Sequence, residues 1–411
     1  MVRKSLLLSL LLATLAGCNH HLDYSAKLPP GTLALRKIPP EMYPSFAIDP
    51  ADLARLRPAI DYSLEYMAKP SSTRYYPYGE ISHQRAVATL RALQQLVQTA
   101  AASAVTAEWI DQQIRDNFDV FQSVGAPEPD GSGYTGKVLF TGYFTPIYVA
   151  SLTRGGPYQW PLYKRPADLV SDPITGDVHG RRAPDGSLID HYFTRAEIEG
   201  GALAGHELVW LTSRWSAYVV TVQGSGRLRL PDGSMYEVGY AGHNGYNYVH
   251  IADEMVKDGV IAQDQVSLST LTDYFNEHPQ DLDKYLPTNP RTVFFAERRG
   301  GPYGSLNEPV TPMATIATDK EDQDIYPRAM PAFLDTAMTT SGQSTAAYRG
   351  FFMDQDTGGA IRAAGRCDIY MGVGDAAAQL AGRELNEGQL YYIAIKQELI
   401  GKYVQQSSLT P

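Results

Sequence analysis

Four aspartates lie close together near the end of this 411-residue chain, in the stretch FFMDQDTGGAIRAAGRCDIYMGVGDA at 351–376. They are Asp354, Asp356, Asp368 and Asp375, with glycines between them and short β-type runs on either side. Carboxyl groups held on turns at strand ends can transfer protons during catalysis. Asp and Gly are also the usual residues of plain turns. The stretch alone therefore fits an active site and an ordinary loop equally well.

Two earlier stretches combine glycines with groups that suit a sugar. The sequence VQGSG at 222–226 offers a side-chain amide and a hydroxyl beside glycines that permit close approach. The sequence YAGHNGYNY at 240–248 alternates aromatic rings with hydrogen-bonding groups. Aromatic rings stack on sugar faces, while amides and hydroxyls bond to sugar hydroxyls. Loops of β-barrels use the same residues, so neither stretch is specific by itself.

Several other chemistries lack their usual residues. The close histidine pairs are His20 with His21 and His243 with His250, and no predicted helix carries two histidines four apart with a glutamate. Neither a GxxxxGK[ST] phosphate loop nor a GxSxG nucleophile turn occurs. Cys367 has no histidine near it in sequence, so an inert thiol is expected. We therefore expect no metal site.

The first 17 residues have the form of an export signal. Two basic residues precede an apolar run from Leu6 to Ala16 that is too short to span a bilayer. The sequence LAGC at 15–18 resembles a bacterial lipobox, in which Cys18 is lipidated and becomes the mature N-terminus. The alternative is an ordinary signal peptide with an incidental cysteine. Asn19 stands where an inner-membrane retention signal would have aspartate, which implies the outer membrane, facing the periplasm.

Charge and cysteine content narrow the possible partners. The formal net charge is −10, and removal of residues 1–17 makes it two units more negative because Arg3 and Lys4 are lost. An acidic surface argues against nucleic acid and anionic lipid as binding partners. Cys367 would be the one cysteine left beyond Cys18, which excludes an intramolecular disulfide.

Helical patterns come first along the chain. Apolar residues recur at helical spacing over 53–67, where Pro58 is predicted to kink or split the helix. Ser82 and Thr106 are predicted to begin two further helices, the last of which continues through Phe121.

Strand patterns dominate from about residue 137 onward. The predicted strands include 138–145, 218–223, 228–230, 235–238, 292–295, 314–317, 350–353 and 390–396, with short helices near 251–257 and 267–277. Many short strands with Gly/Pro turns favour barrels or sandwiches over a parallel α/β sheet. Breaks near Pro146 and Thr292 suggest one β domain interrupted by another.

Five pieces stand in a particular order along the chain. They are the lipobox, FTGYFTP at 140–146, VQGSG at 222–226, YAGHNG at 240–245, and DTGGAI at 356–361 followed by DIY at 368–370. In combination they closely resemble the membrane-bound lytic murein transglycosylase A family, over roughly 137–396 together with the lipid anchor. The last piece looks like the 3D domain, named for three aspartates that would here be Asp319, Asp356 and Asp368.

The resemblance implies a mainly β fold with N-terminal helices. A double-psi β-barrel domain would be interrupted by an inserted, smaller β-barrel domain, with a glycan groove between the two. The expected segments are a signal peptide at 1–17, a lipid-anchored tether at 18–46, a helical region with the first part of the barrel at 47–147, the inserted domain at 148–291, and the second part of the barrel (the 3D domain) at 292–411.

The function implied by the resemblance is that of a peptidoglycan lytic exotransglycosylase, although the residues themselves do not separate endo from exo action. The family cleaves the β-1,4 bond between N-acetylmuramic acid and N-acetylglucosamine without water or cofactor, leaving 1,6-anhydromuramic ends. Its catalytic aspartate matches Asp368. Ordinary glycosidases use two carboxylates, but one suffices when the substrate's own C6 hydroxyl is the nucleophile. We expect Asp356 to orient or tune Asp368, and Asp319 to brace the barrel or merely to form a turn.

The expected partners are peptidoglycan glycan strands and, through Cys18, the outer membrane. The residues expected to bind the glycan are Tyr143, Thr145, Gln223, Gly224, Ser225, Tyr240, Asn244, Gly358 and Gly359. The chain departs from the family's usual pattern at His243, where lysine is common, and at Ala363-Ala364, where a glycine is frequent. These departures bear on loop shape and substrate preference more than on reaction type.

Two rival functions remain open from the sequence. One is a glycoside hydrolase in which Asp356 or Asp354 activates water as a second carboxylate. The other is a lipoprotein that binds peptidoglycan without cleaving it.

Overall fold

The computed structural model describes residues 22–172, 177–320, 324–340, 344–358 and 361–404. Cys18 and Gly359, two residues with predicted roles, lie outside these ranges. Over the described residues the protein is mainly β, with its long helices in the first third of the chain. None of the helices in these ranges combines the length and the apolar character needed to cross a membrane.

Within the described ranges, seventeen strands form three sheets. The strands are β1 Leu35–Ile38, β2 Phe118–Ser123, β3 Val138–Thr145, β4 Ile147–Ser151, β5 Trp160–Tyr163, β6 Leu169–Ser171, β7 Val178–Arg182, β8 Leu188–Ile189, β9 Glu207–Leu211, β10 Ser225–Arg229, β11 Met235–His243, β12 Val293–Arg298, β13 Thr315–Ala317, β14 Pro331–Thr339, β15 Thr345–Asp356, β16 Arg366–Val373 and β17 Leu385–Ile395.

Eleven α-helices accompany them in the described ranges. The helices are α1 Pro50–Ala54, α2 Arg57–Ala68, α3 His83–Ala102, α4 Ala107–Asn117, α5 Arg195–Glu197, α6 Arg214–Gln223, α7 Ile251–Lys257, α8 Leu268–Glu277, α9 Leu282–Tyr285, α10 Asp375–Ala381 and α11 Ile400–Val404.

The largest sheet closes on itself into a six-stranded barrel. Its order is β1-β2-β17-β14-β15-β13-β16-β3, and β17 also pairs with β3, so the ring runs through β3, β17, β14, β15, β13 and β16. Phe140, Phe333 and Phe351 are fully buried in the core that this sheet shares with the helices, each contributing about 1.5–3 kcal/mol through burial. The closed ring fits the predicted barrel, while its double-psi crossing remains a prediction.

The N-terminal helices cover one side of this barrel. The helical pattern at 53–67 is split between α1 and α2, as Pro58 predicts. Ser82 and Thr106 cap α3 and α4 by accepting backbone N–H groups through their side chains. The third helix was expected to reach Phe121 but ends at Asn117, because 118–123 instead forms β2, paired on both sides with β1 and β17.

The described part of the predicted tether, residues 22–46, belongs to the folded body. Within it β1 pairs with β2, and Ala34 and Phe46 are completely buried. Tyr24 contacts the barrel, since a Cβ placed on Gly365 would come within 3.1 Å of the Tyr24 main chain. The expectation of a tether reaching Phe46 is therefore wrong, because apolar residues among the prolines pack into the core.

A second sheet is built almost wholly from the middle of the chain. Its order is β12-β11-β10-β4-β9-β5, and an isolated bridge between Lys164 and Phe295 joins its two edges. The sequence assigned 292–295 to the second part of the barrel domain, but β12 pairs with β11 in this sheet. Strands β6, β7 and β8 form a separate small sheet.

The segment 218–223 was predicted as a strand and is instead the C-terminal part of α6. The Ser213 side chain accepts the Ser216 N–H at one end, and Gly224 ends the helix with a left-handed φ of 72°. These two caps, with burial of the apolar side chains, outweigh the β-propensity of the valines.

Candidate active site

Two of the predicted aspartates lie in one row of neighbouring strands. Along β15, β13, β16 and β3 the residues in register are Asp356, Ala317, Asp368 and Thr141. The Cα atoms of Asp356 and Asp368 are therefore two strand spacings apart, about 10 Å. The small side chain of Ala317 stands between them.

The row opens into a groove of about 720 Å³ that is lined from both large sheets and from α6. Most of the predicted site residues line it: Tyr143, Gln223, Gly224, Ser225, Tyr240, Asp356, Gly358 and Asp368. Thr145, Asn244 and Asp319 are not among the residues that line it. The structure thus brings the aspartate stretch and the two predicted sugar-binding stretches, which are far apart in sequence, to one groove.

Asp368 is held through one of its carboxylate oxygens. The Thr141 hydroxyl donates to Asp368 Oδ1, and the Arg366 guanidinium lies 3.7 Å from the same oxygen. Arg366 also donates to Thr141 Oγ1 over 3.2 Å. Within the described ranges no donor bonds to Oδ2, and the Asp368 side chain is 18% exposed. The free oxygen can therefore exchange a proton with a bound molecule.

Asp356 is engaged at both carboxylate oxygens. Its Oδ1 accepts the backbone N–H groups of Ser305 and Thr357, each over 2.8 Å. Its Oδ2 accepts the Tyr143 hydroxyl over 2.9 Å. Burial raises the pKa of Asp356, and these three hydrogen bonds oppose that rise. Asp356 is thus a half-buried group of the groove that is fixed by partners at both of its oxygens.

A loop between β12 and β13 supports Asp356. Gly304 lies so close that a Cβ there would come within 2.8 Å of the Gln355 carbonyl oxygen and 3.1 Å of the Asp356 carboxyl carbon. This approach places the Ser305 N–H on the carboxylate. The sequence interpretation missed the loop, although its cluster of glycines at 300, 301 and 304 is a signal of close backbone approach.

Gly304→Ala is expected to move this loop away from Asp356. The new methyl group would clash with main chain, which cannot rotate aside, so we expect a loss of about 1–3 kcal/mol of stability. Displacement of the Ser305 N–H should also lower kcat. Thermal unfolding and turnover should be compared with Gly155→Ala, where a Cβ meets nothing within 4 Å. Wild-type behaviour of Gly304→Ala in both measurements would contradict this role of the loop.

Asp354 lies two residues before Asp356 but faces a different environment. It forms a fully buried ion pair with Lys320. The Tyr392 hydroxyl donates to its Oδ2 over 2.7 Å. A register shift in the β13–β15 pairing, between Ile316 and Ala317, accompanies this change of direction, as is common for bulges beside functional sites. Asp354 is therefore unavailable to a ligand.

Several predicted sugar-binding groups connect the two sheets. Gln223 Oε1 accepts the Phe144 N–H over 3.1 Å, which joins the end of α6 to β3. Thr145 Oγ1 lies 2.9 Å from the Tyr370 hydroxyl and 3.3 Å from Ser225 Oγ. Thr145 is only 1% exposed, so its position is that of a linking residue behind the groove.

Asn244 also has a structural environment. It is 1% exposed, and its amide donates to the carbonyls of Phe193 and Pro290. Its side-chain oxygen accepts the Thr292 N–H over 3.0 Å. These bonds fix the loop after β11 to the chain before β12, so the structure does not bring Asn244 to the groove.

Asp319 lies two residues beyond the end of β13 and is 6% exposed. Its neighbour Thr318 donates its N–H to the Asp356 carbonyl over 3.2 Å. This position is compatible with the predicted bracing role, which remains a prediction.

The far wall of the groove carries His243 and exposed Tyr240. Burial lowers the pKa of His243 to about 3, and the positive charges of Arg291, Arg362 and Arg165 add to the effect. His243 is therefore neutral at ordinary pH and accepts the Gly245 N–H through Nδ1. It offers hydrogen bonding rather than the positive charge that lysine would bring.

Three residues that contact Asp356 or Asp368 were not predicted from sequence: Thr141, Arg366 and Lys320. Thr141 lies inside the FTGYFTP stretch but was not singled out, because only the parallel pairing of β3 with β16 places it opposite Asp368. In the described part of the chain, no group of three or more His, Cys, Asp or Glu residues could hold a metal ion.

Comparison with known families matches two regions of the chain. Residues 139–296 match the MltA specific insert domain, and residues 314–394 match the 3D domain. The two regions contain Asp356, Asp368 and most of the residues that line the groove, while the lining residues of the loop from Arg298 to Val310 lie between them.

Among individual proteins, the chain is 29% identical to membrane-bound lytic murein transglycosylase A of Escherichia coli strain K12. The similarity extends over 276 residues, 66% of this chain and 69% of the relative. A Vibrio cholerae protein of the same name is 28% identical over 280 residues, 66% of this chain and 70% of the relative.

Solved structures share the fold. A membrane-bound lytic murein transglycosylase from Agrobacterium tumefaciens superposes with a TM-score of 0.71 at 23% identity, covering 90% of this chain and 99% of that one. Escherichia coli MltA with bound chitohexaose gives a TM-score of 0.65 at 24% identity, covering 91% and 97%.

Proposed function

Because the chain belongs to the membrane-bound lytic murein transglycosylase A family, we propose that it is a lytic transglycosylase of peptidoglycan. It cleaves the β-1,4 bond between N-acetylmuramic acid and N-acetylglucosamine and leaves a 1,6-anhydromuramic end. The observation that carries this proposal concerns the predicted aspartates: Asp368 lines the groove and has an oxygen to which no donor of the described ranges bonds, whereas both oxygens of Asp356 and of Asp354 are engaged.

Asp368 serves first as general acid. Its proton passes to the glycosidic oxygen as the bond from that oxygen to C1 of the muramic residue breaks. The ionised carboxylate is then stabilised by the Thr141 hydroxyl and by the nearby Arg366 guanidinium. Both groups contact the carboxylate through Oδ1, which leaves Oδ2 for the proton transfers.

Asp368 then serves as general base. It takes the proton of the C6 hydroxyl while O6 forms the new bond to C1, so the carboxyl returns to its starting state. One bond to C1 breaks, one forms, and no water is consumed. A hydrolase would need a second carboxylate to activate water.

The position of Asp356 supports an auxiliary role. It lies two strands from Asp368 and is fixed by Ser305, Thr357 and Tyr143. We assign it to the placement of the Tyr143 hydroxyl and to the electrostatic environment of the bound sugar. Exposed Tyr240 on the opposite wall offers a stacking face.

The groove suits an extended sugar chain. Its volume of about 720 Å³ exceeds what one sugar ring fills, and its wall combines tyrosines with amide and hydroxyl groups. The Escherichia coli neighbour was solved with bound chitohexaose. We propose that a glycan strand of peptidoglycan occupies the groove of this protein.

The proposed location is the periplasmic face of the outer membrane, with Cys18 carrying the lipid. The support is the lipobox-like sequence at 15–18 and the membrane-bound relatives.

The mass of the product tests the reaction. Purified sacculi digested with the protein should release muropeptides whose muramic ends are lighter by one water than those from a hydrolase. Digestion of a parallel sample with a known muramidase supplies the hydrated reference. Hydrated ends alone would overturn the transglycosylase proposal in favour of the two-carboxylate hydrolase.

A further inference from the structure

We propose that Lys320 is a positioning residue for the reaction described above, on which this inference rests. It ties the end of β15 to the chain after β13, and so holds Asp356 in register with Asp368. Lys320 is among the residues that line the groove, but its side chain and that of Asp354 are completely buried, so neither side chain contacts the substrate. Their effect is on the geometry of the site.

The Lys320 ammonium makes three contacts, as many as it has N–H groups. It forms the ion pair with Asp354 Oδ1, donates to Thr318 Oγ1 over 2.7 Å, and donates to the Asp356 main-chain carbonyl over 2.9 Å. Both side chains of the ion pair are completely buried. The last contact falls on the residue whose carboxylate lines the groove.

Asp354 completes the network from the other side. Its Oδ2 accepts the Thr318 hydroxyl over 2.8 Å and the Tyr392 hydroxyl over 2.7 Å. Tyr392 belongs to β17, Asp354 to β15, and Thr318 with Lys320 follows β13. The network therefore connects three parts of the barrel behind the catalytic row.

The location of the network points to positioning. The β13–β15 pairing shifts register between Ile316 and Ala317, so the regular ladder is interrupted just before Asp356. Beyond the shift, the Asp356 carbonyl is held by the Thr318 N–H over 3.2 Å and by Lys320. Lys320 thus supplies a contact at the point where the strand pairing is weakest.

Stability alone does not require an ion pair here. Replacing a buried pair by apolar side chains of similar volume is often neutral or stabilising, whereas removing one partner leaves an unpaired buried charge. A double replacement therefore separates positioning from folding. Lys320→Met combined with Asp354→Leu removes both charges and keeps the volume.

We expect this double variant to fold and to bind chitohexaose within about threefold of the wild type, while kcat on sacculi falls about 10- to 100-fold, the scale expected for a small displacement of a catalytic group. The matched control is Arg85→Met with Asp119→Leu, which removes another largely buried ion pair, between α3 and β2. Its kcat should stay within about threefold of the wild type.

A milder variant covers the case in which the double variant does not fold. Thr318→Val keeps the shape of the side chain but removes the hydroxyl shared by Lys320 and Asp354. It should lower kcat about 3- to 10-fold with unchanged chitohexaose binding. Wild-type kcat in either folded variant overturns the positioning role. Absence of anhydro product from the wild type is a different result and overturns the proposed function.

Discussion

Asp368→Asn is expected to abolish cleavage of peptidoglycan, with kcat reduced by about 10³-fold or more, because one carboxyl performs both proton transfers. The amide has nearly the same shape and keeps an oxygen that can accept the Thr141 hydroxyl. It can neither donate an acidic proton to the leaving oxygen nor receive one from the C6 hydroxyl. Release of soluble muropeptides from sacculi measures the loss.

Binding is the control for this variant. Asp368→Asn should still bind chitohexaose and sacculi, since the groove walls are unchanged and the new side chain is neutral. Equal inactivity of wild type and variant, with binding retained in both, would favour a peptidoglycan-binding lipoprotein instead. Substantial turnover by the variant would show that another residue is the acid.

Asp356→Asn is expected to lower kcat by about 10- to 100-fold without abolishing the reaction. An amide oxygen can still accept the N–H groups of Ser305 and Thr357. The amide nitrogen would then face the Tyr143 hydroxyl, whose hydrogen bond must reverse direction. The site keeps its shape but loses a charge, and a small displacement of a catalytic group costs up to about 10²-fold.

Tyr143→Phe separates the two parts of this effect, because it removes the hydroxyl and leaves the Asp356 charge. It is expected to lose less activity than Asp356→Asn, because the Asp356 charge also contributes to the electrostatic environment of the bound sugar. Steady-state kinetics on sacculi rank the three variants. A larger loss for Asp356→Asn than for Asp368→Asn would reverse the roles assigned to the two carboxyls.

Local signals along the chain anticipated much of the fold. The strand predicted at 138–145 is observed with the same ends, and Ser82 and Thr106 cap the helices they were expected to begin. Where local and tertiary preferences disagreed, the prediction was wrong. The valines of 218–223 favour a strand by propensity, yet the caps at both ends and burial in the second sheet's core form a helix.

The two acidic residues of the site could be predicted from the sequence, whereas the residues that hold them in place could not. Asp356 and Asp368 stand out in sequence through neighbouring glycines and through the family resemblance. The residues that hold them come from elsewhere: Thr141 from β3, Ser305 from a loop, and Lys320 from the chain after β13. Strand register and loop packing bring these groups together over long sequence separations, and neither composition nor periodicity reports on them.

If Cys18 carries a lipid, the docking of Tyr24 against Gly365 limits the distance between the folded body and the membrane. If Cys18 carries the lipid, six residues join the bilayer to the folded body, and even fully extended they span about 20 Å. The height of the catalytic groove above the leaflet would then vary by no more than about 20 Å. The glycan strands within reach would be those of the peptidoglycan layer nearest the membrane. The size of the folded body, more than the length of the link to Cys18, would determine which strands these are.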